Sequence, residues 1–184
     1  MATAAQSFPP EDTRPLKMFF EDEARFGRIS ELFSSWAPEG VRPVIQAQIV
    51  RRYTHIFSAV CPHDGESFSL ILPYADSEAM EIFLAELSKQ YSQYRLILVM
   101  DQAAWRRTSN LKKFENIRII HQPPYSPEVN PVEHLWEHIR EKFLRHGYWA
   151  SMDILDAVLE EIIVQVEKSK SIIQSLVGFH WAII

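Results

Sequence analysis

The sequence predicts an α/β domain with a central sheet and helices packed against it. Three observations carry that reading. Apolar runs of strand length fill the first half of the chain, and two helical stripes close it. Between them Tyr94–Met100, YRLILVM, is almost wholly apolar, as a strand covered on both faces must be. The order of strands, helix, strand, short strand and helices suits a layered α/β architecture rather than a sandwich or a bundle. At 184 residues the chain fits one domain with a full core, placed at 17–184 behind a flexible leader at 1–16.

Each element has a local reason. Leu16–Glu23, LKMFFEDE, reads as a strand running into charge. If extended, Met18, Phe20 and Asp22 share one face, and Phe19, Glu21 and Glu23 the other. Residues 24–43 are broken by Gly27, Pro38, Gly40 and Pro43 and read mostly as loop. Val44–Tyr53, His55–Cys61 and Ser67–Pro73 follow as three runs of an antiparallel meander, with breaks at Arg51–Arg52 and Pro62–Gly65. Asp76 caps a helix whose stripe is Met80, Phe83, Leu84 and Leu87. Tyr94–Met100 ends at Asp101, and a basic segment with Arg106, Arg107, Lys112 and Lys113 comes next. Ile117–His121 is a short strand, and the three prolines of 122–127 make that stretch irregular. Asn130-Pro131-Val132-Glu133 has the order of a helix start: cap residue, proline, then an acid three after the cap. That helix buries Val132, Trp136, Ile139 and Phe143. A last one, Met152–Glu167, buries Leu155, Val158, Leu159, Ile162 and Val166.

Composition removes several classes. No stretch approaches the roughly 18–20 apolar residues of a membrane span. MATAAQSFPPEDTRP carries acids and prolines in place of an apolar signal core. Cys61 is the only cysteine, which excludes an internal disulfide and suits a reducing cytoplasm. A net charge of −5 disfavours a simple DNA-binding module, which needs excess cation to neutralise phosphates.

The chemistry rests on where three acids fall. Asp22 ends the first strand and Asp101 the most buried one, while Glu133 sits in the first turn of a helix after a proline-rich loop. Adjacent strands with like-directed ends would bring the two aspartates together, and the helix start could deliver Glu133 beside them. Carboxylates so placed repel unless divalent cations intervene. Mg²⁺ takes oxygen ligands and keeps several waters, so few protein carboxylates suffice. Two ions about 3.5–4 Å apart can stabilise both the attacking and the leaving oxygen of an in-line phosphoryl displacement. His134-Leu-Trp-Glu137-His138 offers a rival, since H-x-x-E-H marks some zinc peptidases, with Glu160, Glu161 or Glu167 as the further acid.

Four blocks stand in order: FFEDEARFGR at 19–28, SWAPEGVRPV at 35–44, LILVMDQAAW at 96–105 and PPYSPEVNPVEHLW at 123–136. Together they resemble the catalytic domain of mariner-like insertion-sequence transposases, of the Asp-Asp-Glu superfamily. The resemblance implies a ribonuclease H-like mixed sheet of about five strands flanked by helices. It implies Asp22, Asp101 and Glu133 as catalytic ligands of two Mg²⁺ or Mn²⁺ ions. The implied reaction is phosphodiester hydrolysis at transposon ends, followed by strand transfer from the freed 3′-hydroxyl. DNA, as transposon ends and target, is the implied partner, with a homodimer to join two ends and a bacterial cytoplasm, at the nucleoid, as the place. Arg106, Arg107, Lys112 and Lys113 would contact the DNA backbone. Such enzymes usually have asparagine after the second aspartate and often a histidine four or five positions on; here Gln102 and Arg106 occupy that stretch. They also carry a helix-turn-helix region, so a further N-terminal domain or a separate DNA-binding subunit is expected to recognise the ends. The rival functions are a non-catalytic interaction domain that keeps the fold, and a general nuclease. Trp36 is expected to anchor its loop by packing, and Cys61 to fill the core.

Overall fold

The computed structural model describes residues 7–30, 34, 36–102, 114–123 and 129–182. Five strands form one mixed sheet in the order β3-β2-β1-β4-β5. They are β1 (Leu16–Ile29), β2 (Ile49–Val60), β3 (Ser67–Leu72), β4 (Arg95–Met100) and β5 (Ile117–His121). β1, β2 and β3 pair antiparallel, whereas β4 and β5 run parallel to β1. Among the described residues the helices are α1 (Ser77–Gln90), α2 (Val132–Lys142), α3 (Met152–Lys168) and α4 (Lys170–Val177).

The period of two along the strands sorts the core into two layers. Phe19, Phe57, Ala59, Leu96, Leu98 and Met100 face α1, which delivers Met80, Phe83, Leu84 and Leu87 as its stripe predicts. Asp76 caps that helix as expected, its Oδ1 accepting from the Ala79 amide at 2.9 Å. Phe20, Ala24, Phe26, Ile56, Val60, Ile97 and Val99 face the other way, onto α2, α3 and α4. Both faces of β4 are therefore covered, as its unbroken apolar run requires.

Two expectations need correction. β1 does not stop at Glu23. It continues to Ile29 because β2 keeps pairing with it, through a register shift between Gly27 and Arg28. The Arg51–Arg52 pair is not a break: β2 is one strand, and both arginines stand exposed on it. Residues 7–15 touch the domain at several points. Phe8 is buried in the core, with the Arg118 guanidinium 4.3 Å from its ring centroid, and Arg14 donates to Asp12 and to the Ser92 carbonyl. α4 went unforeseen; it is short, and its buried Ile173 and Val177 give too few turns for a periodic signal.

At the amino end of β1 a small ion network joins distant parts. Lys17 Nζ donates to Asp64 (2.6 Å) and to Glu66, both in the turn between β2 and β3. Lys170, the first residue of α4, donates to the same Glu66 at 2.8 Å. Partial or full burial disfavours charge on all three partners, but the mutual bonds prevail: Lys17 is raised, and Asp64 and Glu66 are lowered, from their ordinary values. α4 is thereby bolted to the sheet, and its Ile173 and Val177 pack in the same layer as Leu135 and Ile139 of α2.

Candidate active site at the carboxyl end of the sheet

The parallel pairing of β1 with β4 sets Phe20 opposite Val99. Carried two residues further, that register puts Asp22 level with Asp101. Asp22 does not end its strand, however. β4 stops at Met100 while β1 runs on, with Asp22 opposite Ser58 of β2. The parity is the same for both acids. Phe20 and Ala24 on either side of Asp22, and Ile97 and Val99 ahead of Asp101, all belong to the layer of α2. Asp22 is nearly buried, and its Oδ2 accepts a 3.0 Å hydrogen bond from Nε1 of Trp136 on α2. Asp101 is half-buried, and its backbone carbonyl lies 3.1 Å from Nδ1 of His121 at the end of β5.

Glu133 is half-buried in the first turn of α2. The capping box foreseen for it is not made. Asn130 Oδ1 accepts from the Val132 amide at 3.3 Å, and the Glu133 amide donates to the Asn130 carbonyl at 3.2 Å. No bond returns from the Glu133 carboxylate, which has no hydrogen bond or ion pair among the described residues. Asn130 is engaged elsewhere too: its Nδ2 donates to the carbonyl of Glu21, 3.2 Å away on β1.

Side-chain amides link the same elements across this end of the sheet. Gln102 Nε2 donates to the Gln122 carbonyl at 2.7 Å, and Gln122 Nε2 donates to the Val129 carbonyl at 3.0 Å. With Asn130, they connect the tips of β4 and β5 to the start of α2, and that start to β1. Gln102, where the resembling family has asparagine, thus uses its longer side chain to reach past β5. Sequence reasoning placed Trp136 on the buried stripe but missed its role as a donor. The available signal was that a buried indole N–H needs an acceptor.

Among the described residues no three His, Cys, Asp or Glu side chains lie close enough to hold a metal ion. Asp22, Asp101 and Glu133 share one end of the sheet and one side of it without being gathered around one point. Their donor chemistry nonetheless fits a hard divalent cation: oxygen only, with the half-buried Glu133 carboxylate lacking any proton donor or cation among the described residues. Arg106, Arg107, Lys112 and Lys113 lie outside the described residues.

The H-x-x-E-H pattern assembles no zinc centre among the described residues. His134 packs on Phe179 with centroids 5.0 Å apart, and its Nδ1 is 3.4 Å from Glu137. His138 stands edge-on to Phe143, its pKa lowered by burial and then by Lys142. Glu167, one of the candidate acids, accepts instead from the Ser69 amide at 2.9 Å. Trp36 does not anchor its loop: it is fully exposed, and the loop is closed at its base by Ser30 and Gln48 instead. Cys61 is buried, as expected of a core filler.

Residues 17–156 match the family model described as DDE superfamily endonuclease. An uncharacterized protein of Sinorhizobium fredii, y4pE/y4sA, is 40% identical over 102 residues, covering 55% of this chain and 76% of that protein. A 39 kDa protein of insertion element IS630 from Shigella sonnei is 24% identical over 143 residues, covering 73% of this chain and 41% of that protein. Among solved structures, the Mos1 strand transfer complex superposes with a TM-score of 0.62 at 14% identity, over 89% of this chain and 55% of that one. The Mos1 mariner paired end complex with Mn gives 0.63 at 15% identity, over 87% and 53%. At such identities the structural likeness speaks for the ribonuclease H-like fold alone. The chain spans under half of the insertion-element protein and about half of the Mos1 chains. No helix among the described residues is long and apolar enough to cross a membrane. With a family model matched over well more than half its length, the chain belongs to the DDE superfamily endonucleases.

Proposed function

We propose that this chain is the catalytic domain of a Mg²⁺- or Mn²⁺-dependent transposase, with Asp22, Asp101 and Glu133 as its metal ligands. The observation that carries the reading is the register and parity of β1 and β4, which level Asp22 with Asp101 on the side of the sheet where α2 carries Glu133 in its first turn. Bound divalent ions would supply charge stabilisation at the attacking and leaving oxygens of a phosphodiester. The chain's own part is to hold the carboxylates in place: Asp22 on a strand paired on both sides, Asp101 where β4 gives way to loop, and Glu133 on a helix tied to β1 through Asn130. The substrates are transposon-end DNA and a target, cut by hydrolysis and joined through the freed 3′-hydroxyl. Recognition of the ends belongs to a helix-turn-helix region elsewhere, and pairing of two ends to a homodimer. Structures of Mos1 bearing Mn, Mg and transposon ends support metal and DNA as partners by analogy.

Thermal melting with and without millimolar Mn²⁺ tests the metal site. A ligand at about 100 times its Kd stabilises the folded state by about 2.7 kcal/mol, or roughly 5–10 °C for a domain of this size. Asp101→Asn should abolish that rise. Absence of a rise in the unaltered chain would favour the second reading, a non-catalytic domain of the same fold, for which the dispersed acids speak. Incubation with labelled DNA separates the third: a general nuclease cuts without joining strands.

A further inference from the structure

We propose that Trp136 is a positioning residue for Asp22, its indole N–H setting the direction in which that carboxylate meets a divalent cation; the inference rests on the metal reading above. Trp136 is almost completely buried, and its Nε1 donates to Asp22 Oδ2 at 3.0 Å across 114 positions of sequence. Packing fixes the ring. Trp136 meets Phe26 of β1 edge-on, with centroids 6.0 Å apart, and sits in the layer of Ile139, Leu155 and Leu159. The donor therefore cannot follow the carboxylate if it rotates, and the carboxylate is oriented by the donor.

The helix that carries Trp136 also carries Glu133, three residues earlier, on the adjacent turn. Asn130, two residues ahead of that helix, makes a second tie to β1, donating to the carbonyl of Glu21, the residue before Asp22. α2 and the residues leading into it thus hydrogen-bond to β1 at two points: one bond goes to the backbone beside Asp22, the other to its carboxylate. Movement of Glu133 relative to Asp22 must break one of them. Hydrogen-bond partners that orient metal-binding carboxylates commonly account for 10–100-fold in metal affinity. An indole suits the task because it donates one hydrogen bond and has no acceptor with which to compete for the cation.

The test compares the unaltered chain with Trp136→Phe, which keeps an aromatic ring in the layer but removes the donor. Free Mn²⁺ is followed by electron paramagnetic resonance, without DNA and without turnover. The expected result is a Kd raised 10–100-fold in a variant that still melts cooperatively. A Kd within twofold of the unaltered chain overturns the positioning role. If Trp136→Phe fails to fold, the wild-type chain decides. The assigned Trp136 indole N–H resonance should shift on Mg²⁺ titration with the midpoint of metal binding, and binding without such a shift overturns the proposal. Failure of the unaltered chain to bind Mn²⁺ at all removes the metal reading and this inference with it. Binding retained with an unchanged Trp136→Phe affinity removes this inference alone.

Discussion

Replacing Lys17 with methionine should cost the fold about 3 kcal/mol at neutral pH. Methionine preserves most of the apolar stem and removes the ammonium, which stands 5.7, 5.7 and 5.1 Å from the ring centroids of Phe19, Tyr91 and Tyr94, so the change isolates the cation. The lysine side chain is only 7% exposed, and it serves Asp64 at 39% and Glu66 at 25%. Removing one partner of a buried pair usually costs about 3–5 kcal/mol, because the other charge is left uncompensated. Here Asp64 can rehydrate and Glu66 keeps Lys170, which places the expectation at the lower end. At roughly 2–4 °C per kcal/mol, the melting midpoint should fall by about 6–12 °C. The pH dependence has a definite sign. The lowered carboxylates Asp64 and Glu66 add stability above their unfolded values near pH 4, and that stability is lost as pH falls through the lower folded values. Raised Lys17 adds stability below about pH 10.4, and this is lost as pH climbs through its folded value. The gap between parent and variant should therefore be level from about pH 5 to 9 and should narrow in acid. Urea melts at pH 7 and pH 3 measure it. A variant as stable as the parent at pH 7 would show that desolvation cancels the network, and would refute the reasoning.

Other substitutions probe features nearer the site. In Gly27→Ala the added Cβ would stand 2.3 Å from Cδ1 of Tyr53 and 2.7 Å from the backbone oxygen of Arg52. Crowding against backbone at the β1–β2 register shift should cost about 1–3 kcal/mol by denaturant midpoint, and a neutral result would mean the shift can relocate. Asp76→Ala removes the cap of α1 and should cost about 1 kcal/mol in thermal melts. The Cys61 thiol is pushed up to about 11, first by burial and then by the charge of Asp64, so labelling at pH 8 should proceed only as fast as the protein opens. Rapid labelling of the folded chain would contradict its burial.

What the sequence revealed followed the range of the forces involved. Ile117–His121 and the capped helix after Asp76 are local patterns, and both form where the pattern says. β1 outran its expected length because Ala24, Arg25, Gly27 and Arg28 read as loop until a neighbouring strand pairs with them. Phe8 was hidden among prolines, and only tertiary packing under Arg118 gives it a place. At the site, the elements bearing Asp22, Asp101 and Glu133 were legible from apolar runs and a helix start. The bonds that fix them relative to one another were not, for they span long separations: 114 positions from Asp22 to Trp136 and 109 from Glu21 to Asn130. Side-chain periodicity carries no information about such distant partners.

The strand that bears Asp22 is stitched on both sides, to β4 over its first half and to β2 over its second. Inserting or deleting one residue between Leu16 and Asp22 would turn the acid to the α1 side of the sheet, away from the other two. Asp101 and Glu133 each sit beside a connecting segment that can grow or shrink without reversing any strand. Tolerance to changes in length is therefore uneven along the chain. Libraries that vary spacing should work between β4 and β5 or between β5 and α2, while β5 and the first seven residues of β1 must keep their count.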